Sequence, residues 1–186
     1  MAYHENGKLN YKHTYKNGVV ADGEWVEYRD NGDVLEKGMY VKGEKSGQWQ
    51  EASITGGIMK GMYVNGMKDG EWITLATSRV TAPVDSTYEA EQPPTITEKG
   101  MYENDQKTGM WEEHDLYDGT TTKGMYRVGV KQGVWETHWS NGNLSSRSNF
   151  DEGAQTGEYV SYFENGELYE KGTYDKGEKE GSWVLY

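Results

Sequence analysis

The sequence has no cysteine, so neither disulfide bonds nor thiolate metal sites hold the fold together. Aliphatic residues are scarce: Leu, Ile, Val and Phe make up about one residue in seven. Such a composition with a net charge of −12 usually indicates disorder. No apolar run is long enough to span a membrane and the first residues do not resemble a signal peptide. We therefore expect a cytoplasmic protein without membrane insertion.

Basic patches and catalytic motifs are also missing. The 19 basic residues are outnumbered by 31 acidic ones and are spread along the chain, which argues against a nucleic-acid partner and favours a basic protein partner. No nucleophile–histidine pair, phosphate-binding glycine loop or metal-ligand spacing is recognisable. We therefore expect no enzyme activity, no cofactor and no metal.

Aromatic residues contradict disorder, because 7 Trp and 15 Tyr recur at fixed intervals. A Gly-x-aromatic motif occurs seven times, with intervals of 24, 23, 39, 24, 24 and 24 residues. Its aromatic residues are Trp25, Trp49, Trp72, Trp111, Trp135, Tyr159 and Trp183. A second series of aromatic residues has the same period and consists of Tyr15, Tyr40, Tyr63, Tyr102, Tyr126, Phe150 and Tyr174. In five of the seven repeats this series is part of the motif Lys-Gly-x-Tyr. The chain is therefore a tandem repeat of about 24 residues.

Turn signals divide each repeat into two strands of about 7–8 residues, a normal strand length. Dipeptides such as Asn31-Gly32 follow the tryptophan strand, and others such as Lys42-Gly43 follow the tyrosine strand. Both are typical of two-residue hairpins. Each repeat is therefore predicted to be a β-hairpin, and residues 1–186 a single all-β repeat domain. Seven hairpins would give an elongated, single-layer antiparallel sheet of about 14 strands, twisted or coiled, with no helix of note.

The parity of the motifs predicts how the rings pack. Gly23 and Trp25 are two residues apart, as are Gly38 and Tyr40, so each pair lies on one face of its strand. A glycine leaves a gap that a ring of the neighbouring strand can cover, which predicts a ladder of rings over glycines. Met39 points to the opposite face, and the methionines of Lys-Gly-Met-Tyr share one column that serves either packing or binding.

The unit Asn-Gly-x-Leu-x-x-Lys-Gly-x-Tyr-x-x-Gly-x-Lys-x-Gly-x-Trp resembles the MORN-repeat variant of the YwqK-like bacterial antitoxin family. It is most complete from Asn165-Gly166 to Trp183. The resemblance implies a single-layer antiparallel sheet and an antitoxin or immunity role beside a secreted toxin. Other MORN proteins are scaffolds or membrane-associated adaptors. Repeat six departs from the pattern at Arg147-Ser148-Asn149-Phe150 and at Tyr159.

The long interval places about 15 extra residues near 79–96, including all three prolines. Proline cannot donate to a central ladder, so this stretch is predicted to be a loop between repeats three and four. It carries Tyr88, Glu89 and Glu91. The loop is either a recognition element that binds a partner or a tolerated insertion without a role.

Four further residues are candidates for partner binding. His114 and His138 each stand three positions after a tryptophan, in the slot that Tyr28 and Tyr162 fill elsewhere. Equivalent positions two strands apart are about 10 Å from each other, too far to share a metal ion. They either fill a ring position of the repeat or form a ligand-binding pair. Trp139, which is outside the register, and Trp111 beside His114 complete the set.

Three classes of function fit these features. The leading hypothesis is an inhibitor that binds and neutralises a basic protein such as a toxin or nuclease. An inhibitor encoded by a mobile element and directed at a host protein would have the same sequence features. The second is a structural or adaptor scaffold that assembles proteins, including at membranes, or self-associates through its terminal sheet edges. The third is a carbohydrate-binding protein or enzyme with exposed rings.

Overall fold

A computed structural model describes residues 1–53, 57–76 and 95–186. This part of the chain is all-β with antiparallel pairing and contains no helix, and so none that is long and apolar enough to cross a membrane. The predicted fold class of antiparallel hairpin repeats is confirmed. The strands are β1 Ala2–Tyr3, β2 Leu9–Lys12, β3 Tyr15–Lys16, β4 Val19–Val20, β5 Gly23–Tyr28, β6 Val34–Val41, β7 Glu44–Ala52, β8 Ile58–Val64, β9 Met67–Leu75, β10 Ile96–Glu103, β11 Gln106–His114, β12 Thr121–Arg127, β13 Val130–His138, β14 Leu144–Asp151, β15 Ala154–Tyr162, β16 Leu168–Asp175 and β17 Glu178–Leu185.

Two compact units divide the chain, a first half Met1–Ile96 and a second half Thr97–Tyr186. Strands of the first half pair in the order β1-β2-β5-β6-β7-β8-β9, and those of the second half pair in sequence order from β10 to β17. The short strands β3 and β4 pair only with each other. Repeat one is thus not a regular hairpin, whereas repeats two to seven are β6–β7, β8–β9, β10–β11, β12–β13, β14–β15 and β16–β17.

The turn inside each repeat is a two-residue hairpin, as predicted. Both turn residues have positive φ, for example +50° at Asn65 and +77° at Gly66, which is the backbone of a type I′ turn. Repeats four and six form the same turn, at Asn104-Asp105 and Glu152-Gly153. Repeat five places Val128 at the first position, with φ of +51°. A β-branched residue is strained there, because its Cβ crowds the following carbonyl group.

Replacing Val128 with asparagine is therefore expected to stabilise the protein. Asn tolerates the left-handed conformation and occupies this position in three other repeats, so Val128→Asn should raise the free energy of unfolding by about 1 kcal/mol. Urea unfolding measures the change. Val130→Asn, two residues along and inside β13, serves as the control and should give no gain. Equal effects of the two substitutions would contradict the assignment of strain to Val128.

Turns between repeats that lie within the described residues differ from the prediction, because they are not two-residue hairpins. The N–H of Gly32 donates to the carbonyl oxygen of Arg29 at 2.9 Å, and the N–H of Arg29 donates to that of Asp33 at 2.8 Å. Only Gly32 has positive φ, so the loop is a three-residue type I turn followed by a bulge. Asn31 is favoured for its side chain, whose Oδ1 accepts the N–H of Asp33 at 2.9 Å. Asn6, Asn141 and Asn165 accept in the same way.

Glycines of the Lys-Gly-x-Tyr motif lie directly under tryptophan rings, which confirms the predicted ladder. A Cβ added to Gly61 would lie 2.1 Å from Cδ2 of Trp72, and one added to Gly124 would lie 2.1 Å from Cδ2 of Trp135. Gly38, Gly100 and Gly172 contact Trp49, Trp111 and Trp183 in the same way. Tyrosines pack edge-on against these rings, with centroids 5.1–5.8 Å apart in repeats two to five. The face that carries these rings is called the ring face below.

Glycines of the Gly-x-Trp motif have a different role from the predicted one. A Cβ on Gly47, Gly70 or Gly133 would meet nothing within 4 Å, so these glycines leave no slot for a ring. Their φ values lie between +69° and +76°. The pairing register shifts beside them, as between Lys37↔Gln50 and Met39↔Ser46. Each is therefore required by a β-bulge, which turns the following tryptophan over the neighbouring strand.

Two repeats replace the slot glycine, and one of them also replaces the ring that would cover it. Ser148 occupies the slot in repeat six, and the residue that would cover it is Tyr159, a smaller ring than tryptophan. In repeat one, His13 follows Lys12, which pairs with Val26, and stacks flat on Trp25 with centroids 3.8 Å apart. An imidazole fills the gap that glycine would leave. This gives a physical reason for the irregular first hairpin.

The lysine of Lys-x-Gly-x-Trp completes the ring face. In repeat two, the Lys45 ammonium lies 4.2 Å from the centroid of Trp49 and is 2.8 Å from Glu36 and 2.7 Å from Glu51. Glu51 also accepts from Tyr63 at 2.7 Å and lies 3.0 Å from Lys68. Burial alone would raise the pKa of Glu51, but the bonds from Lys45, Tyr63 and Lys68 outweigh it and hold that pKa below its ordinary value.

This network makes stability depend on pH in the acid range. Because the folded pKa of Glu51 lies below the unfolded value of about 4.5, its contribution is present above that pH and is lost as pH falls through the folded pKa. Glu51→Gln should remove about 2 kcal/mol at pH 7 and should flatten the fall in stability below pH 5. Urea unfolding between pH 3 and 7 tests this. Glu44→Gln, an exposed glutamate on the same strand, should keep the wild-type slope.

Candidate functional site

The face opposite the rings exposes a row of apolar side chains in the second half. Met110 pairs directly with Met125 across β11 and β12, and Met101 and Val134 lie on the flanking strands. Met110 is 60% exposed and Val134 is 51% exposed, while Met101 and Met125 are 43% and 46% exposed. We call this side of the second half the open face, and Met101, Met110, Met125 and Val134 the apolar row. Their exposure does not fit a packing role for the methionine column.

A row of charges of alternating sign runs across the same strands. Five side chains pair in the order Lys99, Glu112, Lys123, Glu136 and Arg147. Lys123 Nζ lies 3.3 Å from Glu112, and Arg147 Nη2 lies 2.8 Å from Glu136. Opposite charges on directly paired residues stabilise the sheet locally. They also give the open face a mixed charge, although the whole chain has a net charge of −12.

His114 and His138 share a third row of the open face. Thr121 stands between them, because it pairs with His114 on one side and with His138 on the other. His114 Nδ1 and the Thr121 hydroxyl are 3.2 Å apart, at hydrogen-bond distance. The described residues contain no group of three or more His, Asp or Glu side chains that could hold a metal ion. The row therefore offers two imidazoles and a hydroxyl for hydrogen bonding to a partner.

A shallow groove of about 640 Å³ brings the charged row and the histidine row together. It is lined by Glu112, His114, Gly119, Thr121, Lys123, His138, Trp139, Ser140 and Gly142. Trp139 Nε1 donates to the carbonyl oxygen of Tyr162 at 3.2 Å, which fixes the indole beside the groove. The wall is formed by two neighbouring turns, since a Cβ on Gly119 would lie 3.1 Å from Cβ of Ser140.

A second depression continues the open face towards repeat six. Its volume is about 610 Å³, and its lining includes Val134 of the apolar row and Arg147 of the charged row. Asn149, Glu158, Val160 and Tyr162 complete most of the wall. Repeat six has Asn149 in the position where repeats two to five have methionine, so the apolar row ends here. The open face is thus an apolar strip bordered by charges and by two depressions.

The structure separates the predicted partner-binding residues into three groups. His114, His138 and Trp139 line one groove, as members of a single site would. Trp111 is 2% exposed on the ring face, where its Nε1 donates to the carbonyl oxygens of Met101 and Thr108. Trp111 therefore stabilises the strands from the face opposite the groove. Tyr88, Glu89 and Glu91, with most of the predicted 79–96 loop, lie outside the described residues.

Two residues that line the groove and the second depression, Lys123 and Arg147, were missed by sequence reasoning. Both occupy the first position of the Lys-Gly-x-Tyr motif, which seemed to be only a repeat signature. Their signal was the parity that placed Met39 opposite the rings, because the first residue of the motif is two positions before Met39 and shares its face. Extending that parity to Glu112 and Glu136 would have predicted the alternating charges.

Comparison with known families supports the repeat assignment. Residues 2–17, 21–42, 131–152 and 155–176 match the family model described as MORN repeat variant. The match 131–152 covers β13 and β14, a tryptophan strand, its turn and the following strand. No curated protein matches the chain. The chain is thus an all-β tandem repeat in which these four stretches are similar to the MORN repeat variant.

Proposed function

We propose that this chain is a repeat scaffold that binds a partner protein through the open face of its second half. The observation that carries the proposal is the exposed apolar row of Met101, Met110, Met125 and Val134. Exposed apolar strips with polar rims are typical of protein-binding surfaces. Methionine side chains adapt to the shape of a partner, which makes them common at such surfaces. Trp139 and His138 line the groove on the same half and supply a ring and hydrogen-bonding groups.

Charge supports a protein as the partner and points to its sign. The alternating row from Lys99 to Arg147 would fix the orientation of a bound surface, because like charges brought opposite each other are unfavourable. The net charge of −12 would steer a basic protein towards the chain over longer distances. A basic toxin or nuclease therefore fits better than an acidic protein.

Neutralisation of that partner is the finer part of the proposal. A rigid sheet that covers part of a toxin or nuclease would block access to its active surface without any chemistry of its own. The resemblance to YwqK-like antitoxins supports this role, as does the acidic composition. A mobile-element inhibitor directed at a host protein would act in the same way.

Two substitutions in the apolar row test the proposal. Met110→Glu and Met125→Glu place carboxylates in the centre of the open face and should weaken the complex with a basic protein encoded beside this chain by about 10–100-fold. Binding by calorimetry and rescue of growth during co-expression of that protein give the two readouts. Met62→Glu, at the equivalent position of the first half and 41% exposed, is the matched control. Equal loss in all three variants would contradict the proposed face.

A structural scaffold that self-associates is the second candidate. Within the described strands, β17 pairs only with β16, and Leu185 and Tyr186 beside its open edge are 66% and 62% exposed. Such an edge can pair with a second copy. Light scattering over a 100-fold concentration range distinguishes the candidates, since a constant monomer mass would exclude self-assembly.

A further inference from the structure

On the ring face, five repeats carry a lysine over a tryptophan, and four of these lysines have carboxylate partners. Lys45 contacts Glu36 and Glu51, Lys68 contacts Glu51, Lys107 contacts Glu98 and Glu113, and Lys179 contacts Glu170. For Lys45, Lys107 and Lys179 the partners lie nine residues before the lysine, on the preceding strand, or six residues after it. Lys68 has no acidic residue at these two positions and contacts Glu51 of the neighbouring repeat instead. A carboxylate beside the ammonium is therefore the rule of this repeat.

Lys131 is the exception. Its ammonium lies 3.9 Å from the centroid of Trp135 and 5.5 Å from that of Phe150, so the rings hold it as they hold the other lysines. The two carboxylate positions are occupied by Thr122 and Thr137. No carboxylate of the described residues lies within ion-pair distance of Lys131. Glu113, which pairs with Thr122, is already engaged, by Lys107 at 3.8 Å and by the Tyr126 hydroxyl at 3.5 Å.

Repeat six also lacks the acidic residues, but it has no lysine that would be left without a carboxylate partner. There the acidic positions are Ser146 and Ser161, and the lysine position is Gln155. Gln155 is uncharged, and its Nε2 donates to the Ser148 hydroxyl at 2.9 Å. The cation and its acidic partners are thus lost together in repeat six. Repeat five has lost only the acids, and Lys131, unlike Lys68, has no carboxylate of a neighbouring repeat within ion-pair distance among the described residues. Its ammonium is therefore open to a counter-charge from outside.

Hydroxyl groups around Lys131 suit an anion. Thr122 and Thr137 are directly paired, and their hydroxyl oxygens are 3.0 Å apart. One hydroxyl donates to the other, which leaves one O–H free to donate to a further acceptor. Each threonine is also shorter than the glutamate it replaces by about the length of a carboxylate group. A carboxylate could therefore occupy the space that Glu36 and Glu51 fill around Lys45.

We propose that Lys131, Thr122 and Thr137 form a binding site for a carboxylate supplied by another molecule. The ammonium provides the charge, a threonine hydroxyl provides a hydrogen bond, and Trp135 holds the ammonium in place. The carboxylate comes either from a small organic acid or from an Asp or Glu side chain of a bound protein. The site lies on the ring face, so it is separate from the open face and stands independently of the proposed function.

Thermal unfolding in acetate tests the site. When acetate replaces chloride at constant ionic strength, the wild-type Tm should rise by about 1–3 °C, since a partly exposed ion pair is weak. Lys131→Gln removes the cation, and Thr137→Glu restores the internal carboxylate of the repeat. Both variants should lose the difference between acetate and chloride. Thr137→Glu should also raise the Tm in chloride, a result that does not depend on Lys131→Gln remaining folded.

A matched control and a second ligand complete the experiment. Lys179→Gln removes a lysine that already has Glu170 as a partner, and this variant should keep the full acetate response. NMR shifts of the Thr122 and Thr137 amides during titration with acetate and with a short Glu-containing peptide separate the two sources. Tighter binding of the peptide assigns a side-chain carboxylate, and equal binding assigns a free acid. An acetate response that persists in Thr137→Glu, or its absence in the wild type, would overturn the proposal.

Discussion

Gly124→Ser is expected to lower the free energy of unfolding by about 3 kcal/mol, a large cost for adding one small side chain. A Cβ at this position would lie 2.1 Å from Cδ2 and 2.3 Å from Cε2 of Trp135. Trp135 is only 3% exposed and is packed against Tyr126 at 5.1 Å, so it cannot move aside without losing its own contacts. Urea unfolding gives the change in free energy.

A second substitution should rescue much of this loss. Repeat six has serine in the slot and Tyr159 in place of tryptophan, so Gly124→Ser with Trp135→Tyr reproduces a pair that the chain already uses. The two changes together should cost less than the sum of the single changes, which is a favourable coupling in a double-mutant cycle. Gly133→Ser is the matched control: this glycine has open space and φ of +69°, so only backbone strain of about 1 kcal/mol is expected. Additive effects in the cycle would contradict direct contact between ring and slot.

Trp72→Ala should be among the most destabilising single substitutions, with a loss of about 3–5 kcal/mol. Trp72 is 1% exposed, contacts Tyr63 edge-on at 5.4 Å and carries the Lys68 ammonium 4.2 Å above its ring. Its removal opens a cavity over Gly61 and also frees a lysine that the ring had positioned. The Tm should fall by about 10 °C or more for a chain of this length.

Trp139→Ala is the control for that loss. Trp139 is half-buried at a turn and its indole makes one hydrogen bond, to Tyr162, so its removal should cost less than half as much as removal of Trp72. Differential scanning calorimetry of both variants makes the comparison. Similar losses of stability in the two variants would show that packing over a glycine does not make the contribution of Trp72 larger than that of Trp139.

The sequence was sufficient to predict the hairpins and the ladder, because both depend on period and parity. Gly61 and Trp72 fall on neighbouring strands joined by the two-residue turn Asn65-Gly66, and the parity of each strand places both on one face. It was insufficient to distinguish the two classes of glycine. Gly61 has no side chain because a ring takes its place, and Gly70 has none because its backbone has φ of +76°. In the sequence, both glycines stand two residues before an aromatic residue.

The candidate site was predicted in part for a similar reason. His114 and His138 share a groove because the repeat places equivalent residues on one face, and the sequence reveals that equivalence. Trp139 stands out because it breaks the register. Exposure of Met110 and Met125 could not be predicted, since parity gives the face of a residue and not what covers that face. Likewise, Lys131 is identified as an exception only when the partners of Lys45 are seen in space.

The α-proton shifts of the glycines test the ring ladder most directly. Protons that point into the face of an aromatic ring are shifted upfield, and Gly61, Gly100 and Gly124 have such a ring where a Cβ would be. Their α-protons should be strongly shifted upfield, and that of Gly124 should return to an ordinary value in Trp135→Ala. Gly70 and Gly133 should show ordinary shifts throughout, because nothing lies within 4 Å of the same position. Indistinguishable shifts in the two groups of glycines would contradict the ring-over-glycine packing on which the fold rests.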